Sequence, residues 1–215
     1  RFPTLAIQFC LEYAGISLDD VDVISFYEKP FRKFERILKE SIIYAPRSYG
    51  RFLKSVPIWL KERLNMRKTI KQELKNIYGK VQADIRFVDH HLAHAANAYF
   101  LSPYQDAAIL VLDAVGEEST TSIYNASDGE VTLIQKQVYP NSIGLLYSAF
   151  TYLLGFKVNS DEYKVMGLAP YGNKDSEETK RFTRIIKDNL VDVHEDGSIV
   201  LNTKYFLFMY SDKMV

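Results

Sequence analysis

Asp84-Ile-Arg-Phe-Val-Asp-His-His-Leu-Ala-His-Ala-Ala-Asn-Ala-Tyr-Phe-Leu-Ser-Pro-Tyr-Gln-Asp-Ala-Ala-Ile-Leu-Val-Leu-Asp113 alternates strand-like and helix-like patterns within thirty residues. Asp84–Val88 reads as a short strand. His90–Leu101 is Ala-rich and predicts a helix. Ala107–Leu112 is a continuous apolar run, the pattern of a buried central strand. Ser119–Asn125 and Val131–Val138 continue as strands, with a turn at Ser127-Asp-Gly129 between them. Strand, helix and further strands in this order predict an α/β or α+β domain built on a sheet.

Working outward, the amino-terminal side reads as a helix over Phe2–Ile16. Pro3 suits its first turn, Leu5, Phe9 and Tyr13 recur at helical spacing, and Gly15 ends it. Val21–Phe26 reads as a strand. Phe31–Ile43, Tyr49–Leu64 and Met66–Tyr78 read as helices, the middle one kinked or divided by Pro57. Nothing in residues 29–80 alternates like a strand, so the block is expected to be a helical insertion or cap. On the carboxyl-terminal side, Ile143–Leu154 and Glu177–Asn189 predict helices. Val191–Val215 predicts short strand-like pieces.

The 215 residues, 47% hydrophobic and 25% charged, fit one large domain or one and a half. The single cysteine, Cys10, excludes an internal disulfide and a Cys-based zinc cluster, and points to a reducing, cytoplasmic setting. No apolar run approaches the ~20 residues of a membrane span, and no secretory signal pattern is present, so no membrane partner is expected. Net charge is zero, yet residues 29–80 carry 15 Lys/Arg against four acids. Such a block either attracts phosphate-rich ligands or is a solvated helical surface. It carries no nucleic-acid motif, and none is expected to bind. Tyr44, Tyr49 and Trp59 within it read either as core or as stacking surfaces for a sugar.

Three of the four histidines lie within five residues. On a helix, His90 and His94 point ~40° apart one turn from each other, whereas His91 is rotated ~100° away. Two imidazoles so placed can share one ion such as Fe, Mn, Zn or Ni. The zinc-protease pattern is excluded, because His91 stands where it needs Glu. The spacing leaves a second reading open, in which the histidines cap or pack the sheet edge. Asp113 closes the apolar strand at its carboxyl end, where ligands of α/β sheets gather. It can complete a His90-His94-Asp113 metal set. The turn after it holds Gly116, which allows close backbone approach, and Glu117, followed by Thr120 and Thr121. In Ser160-Asp-Glu-Tyr-Lys-Val-Met-Gly-Leu-Ala-Pro-Tyr-Gly172, Lys164 offers a charge for a phosphate or carboxylate, and Gly167 offers close approach or a turn.

These motifs, in this order, resemble the O-carbamoyltransferase family of nodulation and antibiotic-tailoring proteins. They are the His-His-Leu-Ala-His-Ala-Ala helix, Ser102-Pro-Tyr104, the strand ending at Asp113, Gly116-Glu117, Ser142-Ile-Gly-Leu-Leu-Tyr-Ser148 and Glu162-Tyr-Lys-Val-Met-Gly-Leu-Ala-Pro-Tyr-Gly172. The resemblance implies an actin-like ATPase (ribonuclease H-like) domain, here incomplete, with a separate adenylate-forming domain elsewhere in the full polypeptide. It implies ATP and carbamoyl phosphate as substrates, a carbamoyl-adenylate, and a small-molecule hydroxyl acceptor, a sugar or other natural product. It further implies a divalent metal (Fe, Mn or Zn) on His90, His94 and Asp113. Phosphate, nucleotide or adenylate contacts would fall at Gly116, Glu117, Thr120, Lys164 and Gly167. A homodimer is compatible with it. The same motifs admit a non-catalytic nucleotide- or metal-binding actin-like module. Ala114 and Asp161 stand where the family usually has glycine. The family's opening strand and His-Asp-Ala-Ser loop are absent, so an excerpt, inactive alone, is expected.

Overall fold

The computed structural model describes residues 2–215. Helix α1 (Thr4–Ala14) ends at Gly15, whose φ of 66° is the left-handed conformation that closes helices. Strand β1 (Val23–Phe26) pairs in parallel with β2 (Asp84–Phe87), Val23 opposite Asp84 through Phe26 opposite Phe87. Parallel neighbours need a long crossover. The basic block is that crossover: α2 (Pro30–Ile43), α3 (Tyr49–Ile58), a π-helical turn (Trp59–Arg63) and α4 (Met66–Tyr78). Pro57 lies inside α3, and the widened turn begins two residues later, so the middle helix is divided as its sequence predicts. Buried Leu18, Ile70, Leu74 and Ile85 form a core that joins β1 and β2 to α1 and α4.

Strand β2 leads directly into α5 (His90–Phe100), followed by the antiparallel meander β3 (Ala107–Leu112), β4 (Ser119–Ser127) and β5 (Glu130–Val138). Asp128 and Gly129 both have positive φ (50° and 81°), as the two-residue hairpin turn between β4 and β5 demands. Ala95 and Tyr99 of α5 pack on Ile109, Val111, Tyr124 and Ala126. Here the structure corrects the expected central strand. Among the described residues β3 pairs with β4 alone and is an edge, with Leu110 and Leu112 on its outer face 61% and 57% exposed. The run is apolar on both faces, but only the face toward α5 is covered. Apolarity alone does not reveal which neighbours a strand has.

Helices α6 (Ile143–Leu153), α7 (Glu162–Leu168) and α8 (Glu177–Asn189) follow, then the hairpin of β6 (Val191–Val193) and β7 (Ile199–Leu201). The final segment is less strand-like than expected. Beyond Asn202 it is a short 3₁₀ turn and irregular chain. Phe206, Phe208, Met209 and Met214 bury themselves against Leu146 and Ala149 of α6. Arg51 of α3 donates to the Phe208 carbonyl, and Lys54 pairs with Asp212 at 2.7 Å, so the crossover helices also touch this segment. Among the described residues no helix is long and apolar enough to cross a membrane.

The burial pattern predicts a contrast between two leucines. Leu74 is 2% exposed in the core of the parallel pair, and Leu74→Ala is expected to cost about 2–5 kcal/mol. Leu110→Ala, on the uncovered face of β3, is expected to stay within about 0.5 kcal/mol. Urea denaturation followed by Trp59 fluorescence measures both; equal costs would contradict the assignment of β3's outer face as uncovered.

Candidate metal centre

Three elements meet at the amino-terminal end of α5. The first is the end of β1. The Tyr27 carbonyl lies 3.2 Å from His90 Nδ1, and the Lys29 N–H donates to Glu117 Oε1 at 2.7 Å. The second is the first turn of α5, whose unpaired amides need acceptors. The His90 N–H donates to the Glu117 carboxylate at 3.1 and 3.2 Å. The third is the turn from β3 to β4, closed by Asp113 N–H to Thr120 O (3.0 Å) and Gly116 N–H to Ser119 O (2.9 Å).

The donor atoms converge. His90 Nε2 lies 3.0 Å from Asp113 Oδ2 and 3.2 Å from His94 Nε2, and one ligand atom from each of the three residues falls within 4.8 Å of the others. An ion bonded at about 2.0–2.2 Å to nitrogen and oxygen ligands spaces them about 3.4 Å apart in a tetrahedron. Two of the three separations lie near that spacing and the third falls within 4.8 Å, so the donor set can close on one cation. His90 has a feature typical of ligating histidines: Nδ1 faces the Tyr27 carbonyl, which favours a proton there and directs Nε2 to the ion. His94 is exposed, whereas His90 and Asp113 are half-buried, leaving one side of the trio open.

The charges support one another. The hydrogen bond that His90 donates to Asp113 raises the His90 pKa against the opposing effect of burial, and His90 in turn holds Asp113 below its ordinary value. Asp113 Oδ1 also accepts the Ala114 N–H at 2.7 Å, which fixes which oxygen faces the histidines. His91 points the other way, as the helical angle requires. It is 1% exposed, with Nδ1 2.8 Å from Ser122 Oγ on β4, and burial lowers its pKa.

The helix after the sheet presses on the same turn. Ser142, at the start of α6, donates to the carbonyls of Asp113 (3.1 Å) and Ala114 (2.7 Å), while its oxygen accepts the Leu145 N–H. A Cβ on Gly144 would fall 2.6 Å from the Asp113 carbonyl oxygen, so only glycine fits. A Cβ on Gly116 would lie 3.1 Å from His91 Cδ2 and 3.2 Å from His90 Cβ. The glycine thus allows the turn to lie against the histidine helix.

The family-model comparison matches residues 1–214 to the carbamoyltransferase N-terminus. The chain belongs to that family. It is 45% identical over 208 residues to sll1178, an uncharacterized protein of Synechocystis sp., covering 95% of this chain and 33% of that protein. It is 34% identical over 173 residues to the nodulation protein NolNO of Sinorhizobium fredii, covering 80% of this chain and 24% of that protein. It is 36% identical over 90 residues to the nodulation protein NolO of Bradyrhizobium diazoefficiens, covering 41% of this chain and 16% of that protein. The chain thus spans a third or less of the length of these relatives.

The structure gives several expected phosphate-contact residues other work. Thr120 is fully buried and donates to the Asn141 carbonyl, and Glu117 is 5% exposed and engaged by two backbone amides. Both side chains thus make contacts within the protein's own framework. Gly116 is spent on close approach to the histidines. Lys164 and Gly167 sit on α7, outside the trio. Lys164 pairs with Asp161 at 3.1 Å, and Gly167 has nothing within 4 Å of an added Cβ. The departure at Asp161 gives that lysine its partner, and Asp161 also accepts the Lys157 N–H. Ala114 is not among the residues with positive φ, so alanine is compatible with the turn.

Tyr27, Ser122, Ser142 and Gly144 have no assigned role in the sequence reading. A serine before an apolar helical run signals an N-cap, and a glycine in a helix's first turn signals a close approach. Tyr27 acts through its main chain and leaves no signal. Gly144→Ala is expected to cost about 1–3 kcal/mol through overpacking, read as a shift in the urea midpoint. A neutral Gly144→Ala would mean that α6 does not bear on Asp113.

Proposed function

We propose that this chain is the acyl-transferring part of an O-carbamoyltransferase. On this reading the domain has an actin-like ATPase fold and takes a carbamoyl-adenylate, made from ATP and carbamoyl phosphate by a separate domain of the full polypeptide. The carbamoyl group passes to a hydroxyl of a sugar or other natural product. The acceptor oxygen bonds to the carbamoyl carbon, the bond from that carbon to the AMP phosphate oxygen breaks, and AMP leaves with the electron pair. The hydroxyl proton goes to a base.

Family membership and likeness to nodulation proteins support the transferase class. The observation that carries the site is the convergence of His90, His94 and Asp113. These three residues would hold a divalent ion, which supplies positive charge to offset the phosphate of the leaving group. The chain's own contribution is preparatory. The Tyr27 carbonyl orients His90, the Ala114 amide orients Asp113, and Ser142 with Gly144 seats α6 against the turn. His94, on the exposed side, leaves room for a substrate to approach.

Metal analysis of the full polypeptide tests the reading. The wild type is expected to retain or take up Fe, Mn or Zn, and the double variant His90→Ala/His94→Ala to lose it. The double variant is also expected to lose ATP- and carbamoyl-phosphate-dependent product with a panel of hydroxyl acceptors. Equal metal content in the two proteins would remove the site. A metal-loaded wild type that carbamoylates no acceptor would remove the reaction.

A further inference from the structure

Glu117 is the most heavily engaged buried carboxylate at this junction, and the proposed reaction gives it no task. Its two anchors both lead to His90. One is the His90 N–H itself, at 3.1 and 3.2 Å, which sets where the first turn of α5 begins. The other is the Lys29 N–H at 2.7 Å, two residues after Tyr27, whose carbonyl faces His90 Nδ1 at 3.2 Å. One carboxylate therefore fixes the main chain of His90 and the strand end that selects its tautomer. The clamp is held from behind, since Arg36 Nε donates to the Glu117 carbonyl and the Arg36 guanidinium pairs with Glu40. Glu117 is 5% exposed, so water does not readily replace it as an acceptor.

We infer that Glu117 is the positioning residue of the metal centre, acting through the His90 amide and the Tyr27–Lys29 strand end to aim His90 Nε2 at the ion. The inference rests on the metal reading of His90, His94 and Asp113. Glu117 touches neither ion nor substrate on this account. Its acceptor oxygens matter rather than its charge, because both partners are neutral amides.

The test uses the full polypeptide with Zn²⁺ and Mn²⁺ alone as probes, their affinities read by competition with a chromogenic chelator. Glu117→Ala is expected to weaken binding 10–100-fold, the usual effect of removing a group that orients a ligand. Glu117→Gln, which keeps a carbonyl acceptor for both amides, is expected to retain most of the affinity. Glu117→Asp, which withdraws the acceptor by one methylene, is expected to fall between them and covers the case in which the alanine variant does not fold. Leu74→Ala, which opens the core of the parallel pair but alters none of the clamp's hydrogen-bonding groups, is expected to lower the melting temperature without moving metal affinity. In the Zn²⁺-loaded wild type, ¹⁵N-imidazole spectra are expected to show His90 protonated at Nδ1, with that signature lost or mixed in the alanine or aspartate variant.

Affinity unchanged in Glu117→Ala, or in Glu117→Asp where alanine does not fold, would overturn the inference. So would equal losses in Glu117→Gln and Glu117→Ala, which would make charge the operative property. So would a matching loss in Leu74→Ala, which would make the effect one of general stability. A wild type that takes up neither ion would show that the metal reading itself has failed, and the inference would fall with it.

Discussion

The buried contact between Glu117 and the start of α5 is the constraint on which the rest of this site depends. A helix begins with amides that have no partner in the helix, and here the first is met by a carboxylate from the turn between β3 and β4. Leaving such a donor buried and unmet costs about 1–3 kcal/mol, so the turn and the helix are held together whatever occupies the site. That joins the parallel pair of β1 and β2, which delivers α5, to the meander that delivers Asp113. The contact couples His90, at the start of α5, to the turn that carries Asp113.

Around the junction the residues divide their work by helical angle. His91 and Ala95 face the meander and fix α5 to it, His91 through Ser122 and Ala95 through apolar packing. His90 and His94 face outward toward Asp113. The two glycines at closest approach, Gly116 and Gly144, let the Asp113 turn be pressed from both sides, by the histidine helix and by α6. The basic crossover contributes through particular side chains rather than through its overall charge. Arg36 reaches the Glu117 carbonyl, while Lys33 and Lys39 pair with Glu28 and Glu35.

The helices were legible in the sequence because their apolar spacing and their stops are local properties. Pro57 divides the middle crossover helix and Gly15 closes α1, both through backbone chemistry that neighbours do not alter. The convergence of His90, His94 and Asp113 was legible because two of them lie one turn apart on such a helix and the third sits at a strand end. What escaped is set by pairing and by main-chain groups. The edge position of β3 depends on which strands stand beside it, and its apolar run is silent on that. Tyr27 contributes a carbonyl, which any residue has. Thr120 and Glu117 are held by partners distant in sequence, the Asn141 carbonyl for one and the amides of Lys29 and His90 for the other. The irregular final segment has the apolar content of a strand and uses it to pack on α6 instead.

On the proposed function, two imidazoles and one carboxylate from these elements grip a single cation. X-ray absorption at the metal edge of the loaded protein tests it most directly. Two imidazole nitrogens and a carboxylate oxygen are expected, at about 2.0–2.2 Å if the ion is zinc, with the imidazole scattering abolished in the His90→Ala/His94→Ala protein. A first shell of oxygen alone, or one unaltered by removing both histidines, would contradict it.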